Sequence, residues 1–498
     1  MNVNPITRLD YPDPDVIRVE DTYYMVSTTM HFMPGCEILQ SFDLVNWEHA
    51  TYVYETLDHT DAQQLKSGQN IYGQGMWAAS LRYHEGRFYI CFVANDTRKT
   101  YLYTSEKIDG PWKKQLIEGF YHDGSLLFDE DGRNYIVYGN DEIWITELNE
   151  DLTAPKKDGL HRLLVSDHKN PKLGYEGSHI QKINGYYYIF LIHSLRDRWM
   201  RTEACFYSDS LEGEFTGGDV LCDDRGYCGQ GVAQGGIVDT PDGKWYAMLF
   251  QDSGAVGRLP ILLPVTWKDH FPVFGQNGHV PEEIEVHSTR PGYIYQPLVG
   301  SDDFCNGLLP RWQFNHDPDP RYYHLDALQG TYTITTREVC TELTQAVNTL
   351  TQRMSYPSCA AEVTVDASAL KEGDVAGLCA LQSCYAAVGI TKHHGKYEVL
   401  MLDKKEDGIL DMTEGTVVES HQMDFRLEAD FCNMKDEARC YYRVNKGDWL
   451  PIGTVHKLYF KLDHFTGCRF GLFCYAAEET GGSACFRDFK YYDVDEIS

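Results

Sequence analysis

The 498-residue sequence contains no uninterrupted apolar run near 18 residues, which excludes a helix long enough to cross a bilayer. Its first residues, MNVNPITRLDYPDPD, show neither the basic nor the apolar region of a signal peptide. Positive charge is scarce. Against 74 Asp+Glu there are 44 Lys+Arg, a formal charge of −30, and no Lys/Arg block interrupts that field. Phosphate backbones and anionic membrane surfaces would be repelled, so neither a nucleic acid nor a membrane is an expected partner. Zinc-type cysteine spacing is also missing. The 15 cysteines are odd in number and scattered, and near pairs such as Cys222/Cys228 and Cys432/Cys440 lack the C-x2-C pattern. Reduced thiols in a cytoplasmic protein are the expectation, with Cys91, Cys379 and Cys474 acting as small hydrophobes inside strand patterns. Proline is nearly absent from the last third: of 19, only Pro357 and Pro451 follow residue 320.

What the chain has in quantity is glycine and aromatics: 43 Gly, 34 Tyr and 9 Trp. That composition suits short strands and tight turns, hence an all-β fold. Five hairpin-like segments recur: PDVIRVEDTYYMVST, ASLRYHEGRFYICFVA, GSLLFDEDGRNYIVYG, GSHIQKINGYYYIFLIH and GGIVDTPDGKWYAMLF. Each has an apolar strand, a turn such as Glu-Gly, Asn-Gly or Asp-Gly, and an aromatic strand. Segments such as QSFDLVNWE and YTSEKIDGPW between them supply third and fourth strands. Four strands per unit, five times over, describe a five-bladed β-propeller spanning 1–300. The loop-like stretch from His287 to Phe304 then leads into short alternating strands, read as a β-sandwich spanning 301–498. Within it, LTQAVNTLTQRM suits a helix by spacing and a strand by its Thr and Val content.

Innermost propeller strands begin near the central axis, so the residues just before them should converge. Counting back the same distance from Tyr24, Tyr89, Tyr135, Tyr187 and Tyr246, with one extra residue for longer turns, reaches Asp13, Ala78, Asp123, Glu176 and Gln234. Three of these five are carboxylates. Singly, Asp13 in YPDPD and Asp123 in HDGS also suit turns, but Glu176 in YEGS serves none. Clustered carboxylates on an axis point to glycoside hydrolysis, which needs a protonated acid for the leaving oxygen and an ionised base for water. A third carboxylate can raise the acid by like-charge repulsion.

YPDPDVIRVEDTYYM, HDGSLLFDEDGRNYIVYG and YEGSHIQKINGYYYIF resemble the three signature segments of glycoside hydrolase family 43, the inverting β-xylosidases and α-L-arabinofuranosidases. SDDFCNGLLPRWQFNHDPD, NTLTQRM and FTGCRFGLF are similar to the concanavalin A-like sandwich that follows the propeller in β-xylosidase-type members. The resemblance implies Asp13 as general base, Asp123 as modulator and Glu176 as general acid, in a single displacement that inverts the anomeric centre. It implies that Arg258 reaches the modulator and a sugar hydroxyl, and that Trp77 and Phe32 wall the sugar pocket. It places Gln234 where the family often has an axial histidine beside a divalent cation, so a calcium ion held there by imidazole is not expected, and the chemistry requires no metal. It implies that a sandwich loop helps to close the pocket, with Arg469 in FTGCRFGLF as its candidate, giving an exo-acting enzyme that releases pentose from short oligosaccharides. A small oligosaccharide is the expected partner, and a homo-oligomer stays open. Two rivals remain: a propeller that binds carbohydrate without catalysis, and a retaining fructosidase-type hydrolase in which Glu203 of RTEACF would mimic the acid.

Overall fold

Short β-turns shape the first half of the chain. Glu85-Gly86 and Asn184-Gly185 have positive φ at both residues, the conformation that matches the twist of a two-residue hairpin. In the computed structural model, which describes residues 3–493, these hairpins are the inner halves of five four-stranded antiparallel sheets. The two chain ends of the expected domains, 1–2 and 494–498, lie outside the described residues. Blade 1 consists of Asp15–Val19, Thr22–Val26, Gly35–Ser41 and Glu48–Tyr54. Blade 2 begins at Ser80–His84, blade 3 at Ser125–Phe128, blade 4 at Glu176–Ile183 and blade 5 at Val232–Asp239. The start of the chain closes the ring on blade 5: Ile6 N–H donates to the Pro260 carbonyl, and Tyr11 N–H to that of Arg258.

The inner strands are laced together around the axis. Asp15 accepts the Leu81 N–H, Ser80 that of Leu126, and Ser125 that of Ile180. Across the axis, Asp15 also meets Arg82 at 2.8 Å and His179 at 3.1 Å. Burial alone would push the Asp15 carboxyl up, but Arg82 and His179 outweigh it and pull it down to about 2.

The second half is a sandwich of two antiparallel sheets around one apolar core. The LTQAVNTLTQRM segment resolves into a single turn, Leu343–Gln345, followed by the strand Leu350–Arg353. The two halves interlock. The last blade strand ends at Phe274 and the sandwich strands start at Gln313–Asn315. One piece of the propeller half, Phe32–Met33, pairs with that strand as the edge of the sandwich sheet. Glu37 and Arg353 form a buried ion pair across the same seam at 2.8 Å, and Arg353 also donates to the Asp10 carbonyl.

Candidate active site

A cavity of about 250 Å³ opens where the inner strands of the propeller begin, and Asp13, Asp123, Glu176, Arg258, Trp77 and Gln234 all line it. A wider groove of about 410 Å³ nearer the other ends of these strands is walled by Arg18, Arg82 and Lys182. Each of those cations is already paired, with Asp239, Asp15 and Asp129.

Strand pairing shows how the carboxylates are aimed and corrects one step of the repeat count. Ile17 pairs with Tyr24, Arg82 with Tyr89, Leu127 with Tyr135 and Val238 with Tyr246, but in blade 4 Gln181 pairs with Tyr188, not Tyr187. The position equivalent to Asp13, Asp123 and Gln234 is therefore Gly177, and Glu176 precedes it. The backbone agrees: φ is +53° at Asp13, +48° at Asp123, +66° at Gly177 and +62° at Gln234. A register shift between Glu176 and His179 absorbs the extra residue and leaves Glu176 facing the cavity. Glycine at 177 takes this positive φ without strain, and a Cβ there would lie 2.8 Å from the Gln234 side chain.

Asp13 accepts the Thr28 hydroxyl at 2.6 Å and the Arg258 Nη1 at 3.1 Å. The arginine thus holds the expected base, not the modulator as the resemblance implied. Blade 5 delivers its guanidinium from the strand Arg258–Lys268, beside blade 1. Its Nε is buried and has no protein partner. Asp123 accepts the Gly177 N–H at 3.0 Å, and Glu176 accepts the Asn140 side-chain amide at 2.9 Å. Burial pushes the Asp123 carboxyl up to about 6, with Glu176 and Asp13 adding to the rise while His122 and the Gly177 N–H oppose it. His122 itself is raised to about 9, first by Asp123 and then by Glu176 and Asp13, against the effect of burial.

The walls differ from expectation in two places. Trp77 is in the lining, but Phe32 is not: it is 2% exposed and lies behind the cavity under the Arg469 guanidinium, 3.5 Å from its ring centre. Arg469 is equally buried, in the strand Arg469–Ala476, and donates to Gln313 at 2.8 Å. The sandwich residue that reaches the pocket is the first of the same segment, Phe465, together with Leu462. Phe465 stacks under Arg258 at 4.4 Å and lies 5.6 Å from Trp77. Contacts with Phe32, Gln313 and Thr351 hold Arg469 inside, while the turn before the strand projects to the cavity. Thr28, His122, Trp199 and Arg201 also line the cavity without having been singled out in the sequence; only His122, beside Asp123 in HDGS, had a local cue. Glu203 is fully buried, accepts the Gln234 N–H and does not line this cavity, so it is not placed as an acid here.

Among the described residues, one set of side chains has ligand atoms close enough to share a cation: His122, Asp123 and Glu176. These groups contact one another, the Gly177 N–H and the Asn140 amide. Gln234 presents an amide to the cavity where an imidazole would be needed to hold a metal in the expected way.

Comparison with known proteins adds an independent line. Residues 3–272 match the model of glycosyl hydrolases family 43, and residues 301–492 match that of the concanavalin A-like C-terminal domain of beta-xylosidases. A beta-xylosidase from Formosa agariphila is 26% identical over 99% of this chain and 89% of its own length. Among solved structures, a bifunctional GH43-CE protein from Bacteroides eggerthii superposes with a TM-score of 0.92 at 42% identity, over 99% of this chain. This chain spans 64% of that protein. An engineered GH43 glycoside hydrolase, described as displaying both endo-xylanase and exo-arabinofuranosidase activity, superposes with a TM-score of 0.86 at 27% identity over 99% of each chain.

Proposed function

This chain belongs to glycosyl hydrolases family 43, and from that premise we propose that it removes pentose units, xylose or arabinofuranose, from the ends of hemicellulose-derived oligosaccharides with inversion. One observation carries the reading: Asp13, Asp123 and Glu176 line a single small cavity, each held by different partners. Asp13, fixed by Arg258 and Thr28, takes the proton of a water that attacks C1. Glu176 gives its proton to the departing oxygen, and Asp123 beside it tunes that proton. An exo mode is supported by the shape, since Asp15, Arg82 and His179 fill the axis below the cavity and Leu462 and Phe465 roof it.

The test is hydrolysis of 4-nitrophenyl β-D-xyloside and α-L-arabinofuranoside side by side, with NMR of the first anomer formed. We expect α-xylose first from the β-xyloside, and a fall in kcat of about 10²–10⁴-fold in Glu176→Gln. If the first anomer is β-xylose, inversion is wrong. If wild type and Glu176→Gln are equally inert on both glycosides, the enzymatic reading is lost.

A further inference from the structure

Asp123 and Glu176 share a neighbour that this scheme leaves idle. The Nε2 of His122 lies 3.4 Å from Asp123 Oδ2 and 3.6 Å from Glu176 Oε2. It makes no hydrogen bond elsewhere in the protein, and the ring sits 5.9 Å from that of Trp77. Three carboxyl groups therefore face one another with few cations to divide. Arg258 is committed to Asp13, and Arg201, which also lines the cavity, to Asp252 at 2.7 Å. Among the described residues that line the cavity, His122 is the cation left to balance Asp123 and Glu176.

We propose that His122 is a positioning residue: as an imidazolium it spans the two carboxyl groups, keeps Asp123 ionised and holds the Glu176 side chain against it. The proposal rests on the assignment of Asp123 and Glu176 as modulator and acid. The field of the site agrees, since Asp123, Glu176 and Asp13 all raise the imidazole and keep it charged through neutral pH. The reverse holds for Asp123. An opposite charge within ~4–6 Å lowers a carboxyl by ~1–3 units, so removing the imidazolium lets burial and the other two carboxylates drive Asp123 higher.

Two measurements test this. In kcat–pH profiles, the acidic limb of His122→Gln is expected to move to higher pH by about 1 unit or more, with kcat falling and KM little changed, while His122→Lys restores the limb. In the wild type, ¹H–¹⁵N NMR of the His122 ring should show titration near 9, dropping toward the ordinary value of about 6.5 in Asp123→Asn. A ring that titrates at its ordinary value, or a limb that His122→Gln leaves in place, overturns the proposal. A wild type inactive on every pentoside defeats the catalytic reading instead, and the NMR titration, which needs no turnover, keeps the two failures apart.

Discussion

The two halves of this molecule serve the same cavity by opposite means. The propeller supplies every group placed to move a proton, and it does so with backbone: Asp13 and Asp123 sit at positive φ just before an inner strand, and Gly177 holds the same conformation beside Glu176. The sandwich supplies apolar surface, Phe465 and Leu462 from the turn before one strand, and aims it through a long-range contact. Arg258 is where the two meet, with Nη1 on Asp13 and Nη2 on the Phe465 carbonyl. Chemistry that a repeat can place once per blade needs only local geometry. Closure needs two distant parts of the chain to dock, and the seam between them is correspondingly polar and buried.

The largest expected effect comes from breaking that seam. Glu37 and Arg353 are 2% and 5% exposed, so neither charge has water to fall back on when its partner is lost. Although burial pushes the Glu37 carboxyl up, Arg353 and His49 draw it down to about 2, which marks the pair as attractive. Arg353→Ala leaves Glu37 buried with only His49 and the Tyr11 hydroxyl beside it, and should destabilise the protein by about 3–5 kcal/mol. Calorimetry checks this, and an unchanged melting temperature would mean the halves are not locked by this pair. A smaller effect is expected inside the propeller. Gly177→Ala forces alanine into the left-handed region, at about 1–2 kcal/mol, and presses its Cβ on Gln234. Because Gly177 also donates its N–H to Asp123, stability and kcat should fall together. A variant that melts earlier with full kcat would show that this backbone conformation does not aim the acid.

What could be read in the sequence follows the same division. The blades were legible because each hairpin carries its own signal, a turn pair followed by a tyrosine strand, and the site inherited that regularity at Asp13 and Asp123. Glu176 was reached by an apparent equivalence that strand pairing moves by one residue: Tyr187 and Tyr188 are interchangeable in a sequence, and only the pairing of Gln181 with Tyr188 tells them apart. The contacts of Arg258 with Asp13, of Arg469 with Phe32, and the reach of Phe465 join residues hundreds of positions apart. No local pattern encodes them. FTGCRFGLF was the right segment, but an arginine and a phenylalanine four residues apart could not be assigned to strand and turn without the strand's partners.

The smallest effect is the one that locates the border between the halves. Phe465→Ala removes a ring that is partly exposed, so stability should change by no more than about 0.5 kcal/mol. It should lower kcat/KM by about tenfold, in line with the ~0.5–1.5 kcal/mol of a lost aromatic contact. If Phe465 roofs the leaving group, that loss belongs to oligosaccharides and vanishes with a glycosyl fluoride, whose leaving group offers nothing to stack on. Trp77→Ala, on the propeller wall, should then hurt both substrates alike. Equal losses for Phe465→Ala on both substrates would place the ring against the first sugar, or show that it acts by holding Arg258 on Asp13. The two are separated by where the loss falls, since contact with the sugar raises KM while a displaced Arg258 lowers kcat. In the second case the sandwich would be part of the catalytic apparatus and not only its roof.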